Sequence, residues 1–373
     1  MRLAIVTHNI VKGDGQGRAN YEIVRHALRH GVEVTLIADR VEQDLENDVR
    51  WIKIQPKMRS NWLAHGLEFV ARANTVLDKM SGEFDVIHGY GYCLDRPHNI
   101  NTSQFVHSAW RQSPMHPAKT SRGPYAAYQW AYSAVNAWGE QRAYRHARVV
   151  VAASNTVRRE LIQIGVPAKH IEVILNGADL EEFYPGTADR KALGLPENVP
   201  LALFAGDIRT GRKNLDTVLK ALVAVPEIHL AVVGRTEGSP FPEMAECLGL
   251  KARVHFLDFR RDIAEIMRAA DAFVFPSRYE ACALVLIEAL ASGLPVITAK
   301  TTGGSEAVTP EAGLHLDDPD DDVALSAALK TVLLGPASQR KAMSEAARAT
   351  AEQRYSWEKI GASYLSLYRQ FQG

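Results

Sequence analysis

Two glutamates, Glu280 and Glu288, flank a spot in the chain that is suited to a phosphate. The apolar run 272–275 has the length of a buried strand, Pro276 and Ser277 break it, and 283–292 reads as a helix closed by Gly293 and Pro295. The backbone N–H groups of Ala281, Cys282 and Ala283 then fall at the start of that helix, unpaired and at the positive end of its dipole, where an anion binds readily. A lone glutamate on a helix ordinarily faces solvent, but the neighbours of Glu288 are almost all apolar. A second anion site is written at 207–213, Asp-Ile-Arg-Thr-Gly-Arg-Lys, where Arg209, Arg212 and Lys213 cluster between an apolar strand ending at Gly206 and a helix. A solvated surface turn has the same composition, so position in the fold decides between the two.

The full stretch around the glutamates reads Pro-Ser, Glu280, seven residues, Glu288, then Ala-x-Ala-x-Gly-x-Pro-Val. In this it resembles the family-4 retaining glycosyltransferases, built on the two-domain GT-B fold. Asn176-Gly177-Ala178-Asp179 with Phe183 and Pro185 is similar to the family's signature at the end of its first domain, and Gly303-Gly304-Ser305-Glu306 to its glycine-pair turn. The resemblance covers nearly the whole chain and is strongest over 171–308. One departure is Ala281-Cys282-Ala283, where the family more often has Gly-Phe-Gly; a minority, including lipopolysaccharide glucosyltransferases, carries Glu-Ala-Ala-Gly there.

The resemblance implies a sugar moved from a nucleotide-diphosphate donor, a UDP- or GDP-sugar, to a glycan, lipid-linked or small-molecule acceptor in cell-surface polysaccharide or glycoconjugate synthesis. The donor would sit mostly in the second domain and the acceptor mostly in the first. Glu280 would hold sugar hydroxyls and Glu288 the ribose. Lys213, with either Arg209 or Arg212, would hold the diphosphate, beside the backbone of Gly206, Cys282, Ala283 and Leu284. Phe256 and Leu257 would read the base, His107 would contact the transferred sugar, and the loop carrying Gly15 and Gly17 would close over the ligands. The departing diphosphate would deprotonate the acceptor, so no protein nucleophile is expected; no Asp-x-Asp is read at a strand end, so neither a metal nor another cofactor is expected, and Cys282 is expected to be non-catalytic.

Other patterns compete. Gly13, Gly15 and Asp39 nearly form a dinucleotide fingerprint, with Arg18 where the third glycine belongs, which keeps an NAD-dependent oxidoreductase as an alternative. A nucleotide-sugar 2-epimerase and a non-catalytic nucleotide-sugar binder are others. His26 and His30 have the spacing of two metal ligands, yet no third is marked nearby, and capping of a helix C-terminus explains them more simply. The acidic run 317–322 reads as a helix cap and solvated turn. Arg50, Lys53, Lys57 and Arg59, interleaved with Trp51, Met58 and Trp62, form a solvated face or a contact for an anionic membrane.

These residues must be positioned by alternating strands and helices. Strands at 2–7 and 32–39 flank a helix from about residue 20 to 29; further strands are expected at 49–55, 84–89 and 102–108, the last two ending in histidines. Residues 110–123, without periodicity, read as a mobile loop. The expected division is 1–182, 183–355, and a final segment 356–373 that resemblance returns to the first domain, with Trp357, Ile360, Tyr364, Leu365 and Tyr368 on one buried face. At 373 residues the chain exceeds one comfortable core. Its zero formal net charge gives no global attraction for nucleic acid. Cys93, Cys247 and Cys282 are an odd count without metal spacing, which fits a reducing compartment, and no run approaches a membrane span, so a cytoplasmic protein is expected, of unspecified oligomeric state.

Overall fold

Strands of a parallel sheet covered by helices are apolar on both faces, and runs such as Leu201–Ala205 and Ala272–Phe275 are buried along their whole length. The computed structural model describes residues 1–13, 15–58 and 61–372. Two compact units divide it, Met1–Asn176 with Trp357–Gly373, and Gly177–Ser356.

The first unit contains β1 (Arg2–Ile10), α1 (Gly15–Arg29), β2 (Glu33–Val41), β3 (Arg50–Lys53), α2 (Trp62–Lys79), β4 (Val86–Tyr90), β5 (His98–Ser103), α3 (His107–Gln112), α4 (Pro117–Thr120), α5 (Pro124–His146), β6 (Ala147–Ala152), α6 (Asn155–Gln163) and β7 (Ile171–Val173). Its seven strands are parallel, in the order β3-β2-β1-β4-β5-β6-β7. Helix α2 starts where Asn61 accepts from the N–H groups of Leu63 and Ala64, and α6 where Ser154 accepts from Val157 N–H.

The second unit contains β8 (Leu201–Ala205), α7 (Leu215–Val223), β9 (His229–Val233), α8 (Phe241–Cys247), β10 (Val254–Phe256), α9 (Ile263–Ala269), β11 (Ala272–Phe275), α10 (Leu284–Ala291), β12 (Val296–Ala299), β13 (Gly313–Leu316), α11 (Asp322–Leu329) and α12 (Ala337–Arg354). Its six parallel strands run β10-β9-β8-β11-β12-β13. The acidic run does cap a helix: Asp321 accepts from Ala324 N–H at the start of α11. The last helix, α13 (Trp357–Arg369), belongs to the first unit and packs on α1. It buries Trp357, Ile360, Tyr364, Leu365, Leu367 and Tyr368.

Three expectations about local structure are corrected. Helix α1 begins at Gly15 and not near residue 20; glycines cost about 1 kcal/mol each in a helix and hid its first turn, while the Asn20 side chain ties it to β1 by donating to Thr7 Oγ1 and the Asn9 carbonyl. Strand β5 stops at Ser103, so His107 opens a short helix and does not end a strand. Residues 110–123 are not one loop, because α3 and α4 occupy much of them. Both helices are capped by groups that local pattern does not reveal: the Glu140 carboxylate receives the His107 N–H, and the His116 ring receives that of Ala118.

Beneath α13 lies a polar cluster. His88, on β4, pairs through Nδ1 with the Tyr368 hydroxyl and through Nε2 with Thr102 Oγ1, both at 2.8 Å, and it is fully buried. Burial pushes its pKa down to about 3, and that of the buried His98 to about 4. Both rings are therefore neutral in the folded protein at pH values where the unfolded chain, with a histidine pKa near 6.5, binds protons. Their contribution to stability is complete above about pH 6.5 and is lost as pH falls toward 3–4. At pH 5 the expected loss is about 2 kcal/mol for each ring, read as a lower urea midpoint than at pH 7.5. An unchanged midpoint would show that the rings do not stay neutral.

Candidate active site

In an open parallel sheet, ligands bind beyond the carboxyl ends of the strands where strand order reverses. In the second unit that point lies between β8 and β11. The loops leaving these strands, 206–214 and 276–283, carry both anion-binding stretches picked out above.

After β8 the chain passes Gly206 and a 3-10 turn, Gly211–Lys213, then enters α7 through Asn214, held left-handed at φ 68°. The Asn214 amide fixes this turn by donating to the carbonyls of Pro276 and Pro319 at 2.9 and 2.6 Å. From the β11 side, Ser277 Oγ and Arg278 N–H both donate to the Arg212 carbonyl at 3.0 Å. Arg278 also holds the Gly211 carbonyl at 2.6 Å and both oxygens of Asp216, at 2.8 and 2.6 Å, with Asp320 beyond. Sequence reading missed Arg278 as the organiser of this turn; its place between Ser277 and Tyr279, next to the glutamate motif, was the only signal.

The turn brings Lys213 into direct contact with Glu280 Oε2, and Arg212 Nη1 to 3.4 Å from the same oxygen. All three side chains are mostly enclosed. Lys213 also lies over the Phe275 ring, 5.1 Å from its centre. Burial first, then the neighbouring Arg212 guanidinium, pull the Lys213 pKa well below its ordinary range, and the Asp207 carboxylate opposes them. Arg209 is not part of this cluster. It is half exposed and grips Asp207 with two bonds, at 2.8 and 2.9 Å, so geometry singles out Arg212 as the partner of Lys213.

The segment bearing Glu280 is pinned to the turn after β12. Glu280 bridges to Thr302, Gly303 N–H donates to the Glu280 carbonyl, and Ala283 N–H donates to the Gly303 carbonyl, both at 2.8 Å. A Cβ on Gly303 would fall 2.0 Å from the Ala281 carbonyl oxygen, so only glycine permits this approach. The expectation of three unpaired donors at 281–283 is thereby corrected: the Ala283 N–H is used inside the fold, and the orphan donors of α10 begin at Leu284. Glu288 is partly buried one turn into α10, and Cys282 is partly exposed. Phe256 and Leu257 lie at the end of β10, where Leu257 N–H donates to the Val232 carbonyl. Cys282→Ser is expected to keep turnover within about tenfold; a thousandfold loss with nucleotide binding intact would argue for a covalent route.

In the first unit, His107 Nδ1 is 2.6 Å from the buried Glu140 carboxylate, whose other oxygen takes the His107 backbone N–H at 2.9 Å. Glu140 thereby fixes the ring's tautomer; no sequence signal marked it, since it lies 33 residues away. Gly15 and Gly17 stand in the first turn of α1, and Asp14, in the same glycine-rich stretch, lies outside the described residues. Near the carboxyl ends of β1 and β2 opens a pocket of about 520 Å³, lined by His8, Asp39, Arg40, Lys53, Trp62 and Asn136 among others. Asp39, the ribose acid of the oxidoreductase alternative, faces His65 at 3.4 Å. Of the basic and aromatic patch, Arg50 is paired with Glu83, Met58 and Trp62 are exposed, and Arg59 lies outside the described residues. Among the described residues no helix is long and apolar enough to cross a membrane.

Two parallel-sheet units, with two basic side chains and a glutamate gathered at a strand-order reversal in the second, define a two-unit α/β architecture. Residues 13–182 match the family described as Glycosyltransferase Family 4, and residues 186–350 that described as Glycosyl transferases group 1. The chain belongs to the family-4 glycosyltransferases and has the GT-B fold. A D-inositol 3-phosphate glycosyltransferase of Xylanimonas cellulosilytica is 32% identical over 249 residues, 62% of this chain and 59% of that protein, so the similarity spans less than two thirds of the relative. In fold the chain is similar to sucrose-phosphate synthase from Thermosynechococcus elongatus, with a TM-score of 0.80 at 21% identity over 99% of this chain and 98% of that one. It is also similar to Anabaena HepE solved with UDP-glucose, with a TM-score of 0.71 at 20% identity over 99% and 100%.

Proposed function

We propose that this protein is a retaining glycosyltransferase that moves a hexose from a nucleotide-diphosphate sugar to an acceptor held by the first unit. The observation that carries the reading is the meeting of Arg212, Lys213 and Glu280 at the β8–β11 reversal. Two cations there suit a diphosphate, and a carboxylate beside them suits sugar hydroxyls. Arg212 and Lys213 hold the diphosphate with the Leu284 backbone, beside Gly206, whose N–H is spent on the Val233 carbonyl; Glu288 takes the ribose, and Phe256 and Leu257 border the base. His107, oriented by Glu140, faces the transferred sugar, and the exposed Gly15, not the buried Gly17, leaves the start of α1 open to ligand. The bond from the anomeric carbon to the diphosphate breaks as the acceptor oxygen bonds to the same face; the acceptor's proton passes to the leaving diphosphate. The site needs no protein nucleophile and no metal.

UDP-glucose is the first donor to test, because HepE was solved with it. Phosphorylated polyols and sugars are the first acceptors, since an inositol phosphate names one relative's reaction and the first-unit pocket includes Arg40 and Lys53. We place the activity in the cytosol, with the exposed Met58 and Trp62 available to a membrane surface should the acceptor be lipid-linked. The experiment follows nucleoside-diphosphate release from UDP-, GDP- and ADP-sugars with and without acceptors, and assigns the product anomer by NMR. Acceptor-dependent release with retained configuration is expected. Release without acceptor would mark a hydrolase or epimerase, and no release from any donor would overturn the reading.

A further inference from the structure

Apart from the transfer site, the first unit gathers three ligand-bearing side chains from opposite ends of the chain. His26 and His30 stand one turn apart near the end of α1, and Glu358 comes from the first turn of α13. One nitrogen from each ring and one carboxylate oxygen all lie within 4.8 Å of one another. His26 is 97% buried, yet neither of its ring nitrogens has a hydrogen-bond partner. A buried polar atom left unsatisfied is uncommon and calls for an absent partner such as an ion.

A plain ion pair does not account for this arrangement. His26 Nδ1 is 3.3 Å from Glu358 Oε2 without hydrogen-bond alignment. His30 Nδ1 lies 2.9 Å from the His26 carbonyl; donating there fixes its tautomer and leaves the lone pair on Nε2. The rings stack with centres 4.2 Å apart. Helix α13 comes this close because residue 361 is glycine: a Cβ there would fall 2.2 Å from the His26 ring. Arg29 adds a like charge nearby, which the Glu358 carboxylate offsets.

We propose that His26, His30 and Glu358 form a site for a borderline divalent cation of the zinc type, which clips the C-terminal helix to α1. Two imidazoles and a carboxylate, with water in the fourth place, are a usual zinc set at about 2.0–2.2 Å per bond. His30 and Glu358 are exposed, so small rotations of these two side chains close the ligands around the ion while His26 stays fixed. The site is independent of sugar transfer.

The test strips the full-length protein with a chelator, titrates Zn²⁺ by calorimetry, and follows thermal unfolding; Co²⁺ supplies a visible absorption band. One equivalent is expected to bind, with a midpoint rise of about 5–10 °C at a hundredfold excess over Kd. His30→Ala and Glu358→Gln each weaken binding at least tenfold, and the double variant abolishes the shift. Both changes are at exposed positions, so the variants fold. No binding by the wild-type protein, or an equal shift in the double variant, overturns the proposal.

Discussion

Lys213→Ala is expected to lower kcat at least a hundredfold while nucleotide-diphosphate affinity stays within about tenfold of wild type. As the glycosidic bond of the donor breaks, negative charge grows on the diphosphate, so a fixed cation is worth more in the transition state than in the bound donor. Removing one preorganised contact of this kind costs about 10²–10³ in rate. Lys213 is preorganised: the Asn214 and Arg278 contacts fix its turn, and its ammonium is held by Glu280 over Phe275. Arg212 remains within reach of the same carboxylate in the variant, which keeps ground-state binding from collapsing. Lys213→Arg should rescue little, because a planar fork does not replace a point charge at fixed reach. Donor affinity by calorimetry, set beside steady-state transfer, separates the outcomes. Equal losses in both would mean uniform binding, and no loss in either would remove Lys213 from the site.

Deleting the chain from Trp357 onward is expected to unfold the first unit. Six large side chains of α13 are buried against it, from Trp357 to Tyr368. Burial of each contributes about 1.5–3 kcal/mol, so together they match or exceed the whole stability of about 5–15 kcal/mol typical of a domain. The deletion also removes the Tyr368 hydroxyl from the buried His88, leaving its Nδ1 without a partner while Nε2 keeps Thr102. Insoluble protein, or soluble protein in which proteolysis degrades the first unit and spares the second, is the expected result. A soluble monomer with unchanged circular dichroism and unfolding midpoint would show the helix to be an appendage. Tyr368→Phe isolates the polar part, with an expected loss of about 1–3 kcal/mol.

The sequence by itself determined five of the six strands described in the second unit, because apolar runs such as Val296–Ala299 are buried on both faces and no alternating pattern is needed to recognise them, while β13, with its half-buried Leu314 and His315, was not read. It also determined the buried face of α13, whose spacing is helical, and both halves of the candidate donor site, whose glutamates and cations stand in local motifs. Only the tertiary structure decided that Glu280 meets Arg212 and Lys213, which lie 68 and 67 residues away, because the order of β8 and β11 in the sheet is a long-range pairing. The same holds for Arg212 lying beside Glu280 while Arg209 grips Asp207. The short helices α3 and α4 escaped for a related reason. Their starts are stabilised by side chains outside the helices, Glu140 and His116, and six or four residues carry too little periodicity to read. His26 and His30 supplied two ligands in plain view, while the third, Glu358, comes from the far end of the chain and is brought there only by the packing of α13 on α1. Local chemistry is written in spacing, but proximity between distant segments is set by sheet order and helix packing, which no single stretch encodes.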